Sequence, residues 1–235
     1  MTDINGQIAL VTGANRGLGA EFVSALLDRG AAKVYAAVRT PETVDTDDPR
    51  VVPIRLDVTD AASIRAAAEQ ASDVTLLVNN AGIAVNQSLV SGDLDEIHRE
   101  FDTNFWGPVL MTRAFAPVIV ANGGGAIVNM HSALSWLAVG SYSATKAALW
   151  SASNSARVEL DPQGVQVVGV HVGWVDTEMA AHTDDVKVPP AQVVAEAFDT
   201  LEAGGAEAIV GDTARHVKSK LDQDVRVLYP QLANR

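Results

Sequence analysis

The apolar run Ile8-Ala9-Leu10-Val11 breaks into Thr12-Gly13-Ala14-Asn15-Arg16-Gly17-Leu18-Gly19, and this break constrains the fold more than any other stretch. A strand that ends in a glycine-rich turn and enters a helix leaves backbone N–H groups unpaired at the helix N-terminus, where an anion can be held. Glycine lacks a Cβ, so the turn can reach positive φ and a pyrophosphate can come close. Val- and Ile-rich runs then alternate along the chain with longer segments of helical period, the pattern of a parallel sheet covered on both faces. Strands are expected at Ile8–Thr12, Lys33–Val38, Val51–Leu56, Leu76–Asn79, Ala126–Met130, Val165–Val172 and Ala208–Val210. Helices are expected near Leu18–Asp28, Ala61–Ala71, Leu94–Ala121, Tyr142–Leu160 and Ala191–Ala203. The expected fold is α/β, a three-layer α/β/α arrangement around a mostly parallel, doubly wound sheet of about seven strands. Such sheets bind ligands beyond the carboxyl ends of their strands, so the residues just after each strand carry the functional reading.

The chain of 235 residues is expected to form one dinucleotide-binding domain over 1–235 with an integral substrate site, since nothing in it reads as a linker. With 48% hydrophobic and 20% charged residues it has enough apolar surface for a large core. A formal net charge of −12 argues against nucleic acid and anionic membranes as partners. The absence of cysteine removes disulfides and thiolate metal sites, and no metal is expected. The opening MTDING has no basic leader, and no apolar run approaches the roughly 20 residues that span a bilayer, so a cytoplasmic location is expected. The tail Thr213–Arg235 reads as charged and amphipathic, equally suited to packing on the domain, capping a substrate site or touching a neighbouring subunit.

Tyr142 and Lys146 stand four residues apart near the start of an expected helix and so share a face. An ammonium about 4 Å from a phenol favours the phenolate by up to about 4 kcal/mol at an effective dielectric of 20, or about three pK units. Tyr142 is therefore expected to titrate nearer neutrality and to serve as general acid for a carbonyl or base for an alcohol. Pro108 has no N–H for the Asn104 carbonyl, so a kink and an available acceptor are expected at Asn104, with Gly107 beside it. Ser132 follows the strand Ala126–Met130 and can face a ligand with its hydroxyl.

The order Gly13-x-x-x-Gly17-x-Gly19, Asn79-Asn80-Ala81-Gly82, Asn104, Ser132 and Tyr142-x-x-x-Lys146 resembles the short-chain dehydrogenase/reductase family over nearly the whole chain. The resemblance implies a single Rossmann-like domain, an NAD or NADP cofactor, and Asn104, Ser132, Tyr142 and Lys146 as the catalytic set, with a water linking Asn104 to Lys146. It also implies cofactor contacts from Gly13, Asn15, Arg16, Gly17, Leu18 and Gly19 in the first loop. Asp57 and Val58 are expected at the adenine, and Asn80, Ala81 and Gly82 at the ribose, while Asn79 ties strands. Tyr142 and Lys146 are expected to touch the cofactor too, together with Gly173, Val175 and Thr177. Two departures stand out: the stretch from Ser132 to Tyr142 is short, and Val172-Gly173 replaces the Pro-Gly common in relatives.

NAD-preferring sites place an acidic residue at the end of the second strand, whereas here the strand ends Ala37-Val38-Arg39. Arg39 and Arg16 facing one phosphate favour NADP(H), with NAD(H) the alternative. Trp136 and Trp174 are expected to line an apolar substrate pocket with Ser132, under a short lid at about 176–193. The expected activity is an NADP(H)-dependent interconversion of a ketone or aldehyde with an alcohol. Two alternatives remain: an NAD(H)-dependent alcohol dehydrogenase, or a non-catalytic dinucleotide sensor on the same fold. The family resemblance further implies a homodimer or homotetramer acting on a small molecule.

Overall fold

The computed structural model describes residues 2–232. Residues 233–235 of the expected tail lie outside the described residues. Seven strands form one sheet: β1 Ile8–Thr12, β2 Lys33–Val38, β3 Val51–Arg55, β4 Leu76–Asn79, β5 Gly125–Met130, β6 Val165–Val172 and β7 Glu207–Val210. Their order is β3-β2-β1-β4-β5-β6-β7, and every pairing is parallel. The strands read as apolar runs because both faces are covered: β1 and β4 are almost entirely buried along their length.

The helices are α1 Gly17–Asp28, α2 Ala61–Gln70, α3 Leu94–Phe101, α4 Gly107–Ala121, α5 Gly140–Leu160, α6 Pro190–Glu202, α7 Gly211–Lys218 and α8 Val225–Leu228. On one face Phe22 and Leu26 of α1 meet Val193, Phe198 and Leu201 of α6, with Phe22 and Phe198 edge to face at 5.4 Å. On the other, Ile64 of α2 and Met111, Phe115 and Ile119 of α4 close over Leu77 and Ile127. Each of these large side chains contributes roughly 1.5–3 kcal/mol by leaving water.

The expected single helix Leu94–Ala121 is instead two helices joined by a π-helical turn at Asp102–Trp106, in which the Gly107 N–H donates to the Asp102 carbonyl. Pro108, at the start of α4, cannot donate, and the chain takes up the lost register as one wide turn around Asn104. Buried polar groups stitch the central strands. Asn79 donates to Asn129 Oδ1 at 2.8 Å, and Asn129 donates to the Ser153 hydroxyl of α5 at 2.9 Å. Asn79 thus ties β4 to β5, as its strand-end position suggests. The order reverses between β1 and β4, which brings the β1–α1 loop and the β4–α3 loop together at the carboxyl edge.

Candidate active site

Gly13, with φ 66°, turns the chain out of β1 against Ala81, whose Cα would lie 3.2 Å from a Cβ at this position. At Gly19 a Cβ would overlap the Gly13 carbonyl oxygen, so the helix can enter this closely only without a side chain. Arg16, the residue before α1, gives no side-chain cap, and the first turn holds no acidic residue. Its N–H groups are left to the solvent side of the cradle, which fits a pyrophosphate. Asn80 braces this loop by donating from Nδ2 to the Thr12 carbonyl at 2.9 Å. Thr12, which the sequence reading passed over, is the hub: its hydroxyl accepts from the N–H groups of Asn80 and Ala81, each at 3.0 Å, and donates to the Val78 carbonyl at 3.4 Å.

The two expected phosphate cations part company. Arg16 is paired with Glu178, both side chains well exposed. Arg39 stands exposed at the end of β2 and makes no ion pair among the described residues. Asp57 accepts from the Thr59 hydroxyl at 2.7 Å and its N–H at 2.9 Å, which holds its carboxyl below the usual range, with the Arg39 charge adding to the effect. Asp57 is not the helix cap; Asp60 fills that role for α2. Val58 packs against Gly107 at the head of α4. Asn15 bonds Thr43 at 3.1 Å, and Leu18 is half-buried against the core.

Asn104 is fully buried, and its side chain rather than its main chain makes the notable contacts. Oδ1 accepts from Ile83 N–H at 2.9 Å while Nδ2 donates to the Ile83 carbonyl at 2.8 Å and to the Thr145 hydroxyl at 3.3 Å. A Cβ on Gly82 would lie 3.1 Å from Asn104 Oδ1 and 3.9 Å from Lys146 Nζ, so all three converge. Lys146 is buried and donates to the Met130 carbonyl at 2.9 Å. Its ammonium lies 5.6 Å from the centre of the Tyr142 ring, over the face. The expected depression of the Tyr142 phenol is therefore corrected. Burial and the Glu100 charge push Tyr142 up to about 12, against a smaller pull from the Ser132 hydroxyl. Burial also draws Lys146 down to about 8, and Glu100 resists that fall. Glu100, also unforeseen from sequence, is fully buried one helical turn before Asn104.

Ser132 lies at the mouth of β5, but its hydroxyl is engaged locally. It accepts from Leu134 N–H at 3.1 Å, caps the short turn Ala133–Ser135, and reaches the Val172 carbonyl at 3.5 Å. Trp136 does not line a pocket; it is buried, stacked on His171 at 3.9 Å and edge-on to Trp150 at 5.9 Å. A large aromatic ring after a strand can turn inward as readily as outward, and here a cluster of buried His131 and His171 with half-buried Glu207 and Lys218 takes it. In that cluster His171, with Lys218 and Trp150, holds Glu207 well below the carboxylate range, and burial pulls His131 well down. Trp174 is partly exposed, edge-on to His182 at 5.4 Å. Beyond β6, Gly173 packs on Thr213, and buried Val175 bridges to Val188, closing the segment after β6. Thr177 comes beside Gly17, its hydroxyl reaching the Val175 carbonyl at 3.5 Å and making no cap bond. The tail folds back: the Tyr229 hydroxyl accepts from Ala138 N–H at 2.6 Å in the short Ser132–Tyr142 stretch.

A family model described as short chain dehydrogenase matches residues 7–187. A short-chain dehydrogenase of Penicillium ochrochloron, ptmH, is 36% identical over 234 residues, covering 86% of this chain and 83% of that protein. Galactitol 2-dehydrogenase of Agrobacterium fabrum is 35% identical over 187 residues, covering 74% of this chain and 73% of its own length. Among solved structures, a short chain dehydrogenase from Burkholderia cenocepacia J2315 in complex with NADP superposes with a TM-score of 0.93 at 39% identity. It covers 99% of this chain and 100% of its own. With the glycine cradle, the strand order and the Tyr142-x-x-x-Lys146 helix all in place, the chain belongs to the short-chain dehydrogenase family of NAD(P)-dependent oxidoreductases.

Proposed function

We propose that this chain is an NADP(H)-dependent oxidoreductase that interconverts a ketone or aldehyde with an alcohol, Tyr142 moving the proton, within a single domain that carries its own substrate site. The observation that carries the reading is the convergence of Asn104 and Lys146 on Gly82 of the β4–α3 loop, with Lys146 over the Tyr142 ring, beside the glycine cradle at the point where the strand order reverses. The dinucleotide supplies or accepts hydride at its nicotinamide ring. Gly13, Gly17, Leu18 and Gly19 would hold its pyrophosphate with Thr177 near by, Asn80, Ala81 and Gly82 its adenosine side, and Gly173 and Val175 its nicotinamide end. A phenol held at about 12 is a proton donor across the neutral range, which suits reduction of a carbonyl. Lys146, held between Met130 and the Tyr142 ring, keeps a positive charge beside the ring whose phenol gains negative charge during proton transfer. Ser132 completes the set if its hydroxyl trades its bond to Val172 for one to the substrate oxygen.

NADP(H) preference rests on Arg39, since Arg16 is drawn to Glu178, and on the NADP carried by the 39% identical neighbour. The substrate mouth is apolar in this reading: Val139, Trp174 and Met179 are exposed large side chains that follow β5 and β6. Exposed Trp106, just before α4, and Val158 of α5 suit a homodimer or homotetramer built on these long helices.

The test is NADPH oxidation at the nicotinamide absorbance across a panel of apolar ketones, with NADH in parallel. Wild type should turn over with NADPH preferred, and Tyr142→Phe should lose at least about a hundredfold in kcat. Arg39→Ala should cut the NADPH preference by about tenfold, roughly one charge-assisted contact. Undiminished turnover in Tyr142→Phe overturns the proton role, and cofactor binding without turnover on any carbonyl points to the sensor.

A further inference from the structure

Glu100, in the last turn of α3, is fully buried and accepts three hydrogen bonds. Oε1 takes the N–H groups of Val85 at 2.6 Å and Asn86 at 3.1 Å, and Oε2 takes the hydroxyl of Ser141. The hydroxyl direction is settled by its other bond, because Ser141 Oγ accepts from Gln87 N–H at 2.8 Å and so must donate to Glu100. Ser141 in turn donates its own N–H to the Gln87 carbonyl at 2.8 Å. The loop after β4 is thus clamped to the first turn of α5, one residue before Tyr142. Asn86 adopts a left-handed backbone, φ 56°, within this clamp, and its Oδ1 sits where a side chain on Gly140 would stand. Asn104, one turn further on, holds Ile83 of the same loop.

Neither oxygen of Glu100 meets a cation in an ion pair among the described residues. Arg99, next to it in sequence, reaches out to Glu96. The charged and titratable groups that feel Glu100 are Tyr142 and Lys146 of α5, both pushed upward by it, and Arg99 of its own helix. A buried carboxylate with only hydrogen-bond donors around it keeps its field, because little water is present to screen it.

We propose that Glu100 is a positioning residue for the Tyr142–Lys146 pair, setting the start of α5 through its hydrogen bonds and the local field through its unpaired buried charge. The proposal rests on the reading of Tyr142 and Lys146 as the proton-handling pair, and its test has a part that needs no turnover. Lys146 is followed by NMR of Nζ-adjacent, carbon-labelled lysine as pH rises, in wild type, Glu100→Gln and Ser141→Ala. Wild-type Lys146 should titrate near 8, and Glu100→Gln should lower that midpoint by about one pH unit. Ser141→Ala breaks one bond but keeps the charge, and should leave the midpoint within a few tenths of a unit. In alcohol oxidation, which needs the Tyr142 phenolate, the rise of kcat with pH should move to lower pH in Glu100→Gln by a similar amount. An unmoved midpoint in folded Glu100→Gln, or an equal shift in Ser141→Ala, overturns the proposal. If Glu100→Gln does not fold, Glu100→Asp decides: it must keep the Lys146 midpoint while lowering kcat, and a shift of about a full unit overturns the field. Full turnover in Tyr142→Phe would sink the function proposed above, whereas an inert Tyr142→Phe with an unresponsive Lys146 sinks only this inference.

Discussion

Thr12 is a single hydroxyl that joins two strand ends, β1 and β4: it satisfies two N–H groups of the Asn80-Ala81 turn and leans on Val78, while Asn80 returns the bond to Thr12. Replacing it by Val, of nearly the same shape, strands two partly buried donors, each costing about 1–3 kcal/mol. Thr12→Val should therefore lower stability in urea by about 2–4 kcal/mol and weaken NADPH binding in a fluorescence titration, with Thr12→Ser restoring most of both. Unchanged unfolding and affinity would show that the loop does not depend on the hydroxyl. Thr12 and Glu100 were invisible in the sequence for the same reason. A threonine at a strand end and a glutamate in an amphipathic helix are ordinary surface residues until the fold brings backbone donors to them. The placement of Tyr142 and Lys146 on one helix, of Asn104 at a helix break and of the glycines in one turn was legible because the spacing is set by the elements that carry them. Trp136 was misread because side-chain type does not say which way a ring turns after a strand. The sign of the Tyr142 shift was misread because spacing shows the lysine four residues on but neither the burial of the phenol nor the Glu100 charge, which together raise it.

Every strand was legible as an apolar run, since strands buried on both faces must be apolar throughout and their ends fall where glycine, asparagine or charge begins. The break at Asn104 was legible only as a proline-induced bend. That the chain would resolve it as a π turn, with α3 and α4 continuing on either side, depends on Val58 packing at Gly107 and Ile83 being gripped by Asn104. The tail could not be placed from sequence, because its apolar residues fit several uses. The Tyr229 bond to Ala138 places it over the loop that carries Ser132. Tyr229→Phe keeps the ring and deletes the acceptor, so the Ala138 amide should exchange faster by about fivefold or more, at a stability cost of about 1 kcal/mol. An unaltered exchange rate at Ala138 would mean the contact does not hold the loop.

At the scale of the molecule, seven parallel strands with a reversal between β1 and β4 bring four loops to one edge, and each supplies a part: cradle, clamp, serine turn and the Thr177 segment. The family relationship fixes this architecture and the dinucleotide chemistry. Within it, the central claim is that Tyr142 stands between a reduced nicotinamide and a carbonyl oxygen as proton donor. The direct measurement is a crystal structure of the chain with NADP(H) and a carbonyl inhibitor bound together. The Tyr142 hydroxyl should lie about 2.6–3.2 Å from the carbonyl oxygen, with the nicotinamide ring facing the carbonyl carbon. A Tyr142 hydroxyl directed away from the carbonyl, with another acid in its place, would contradict the account.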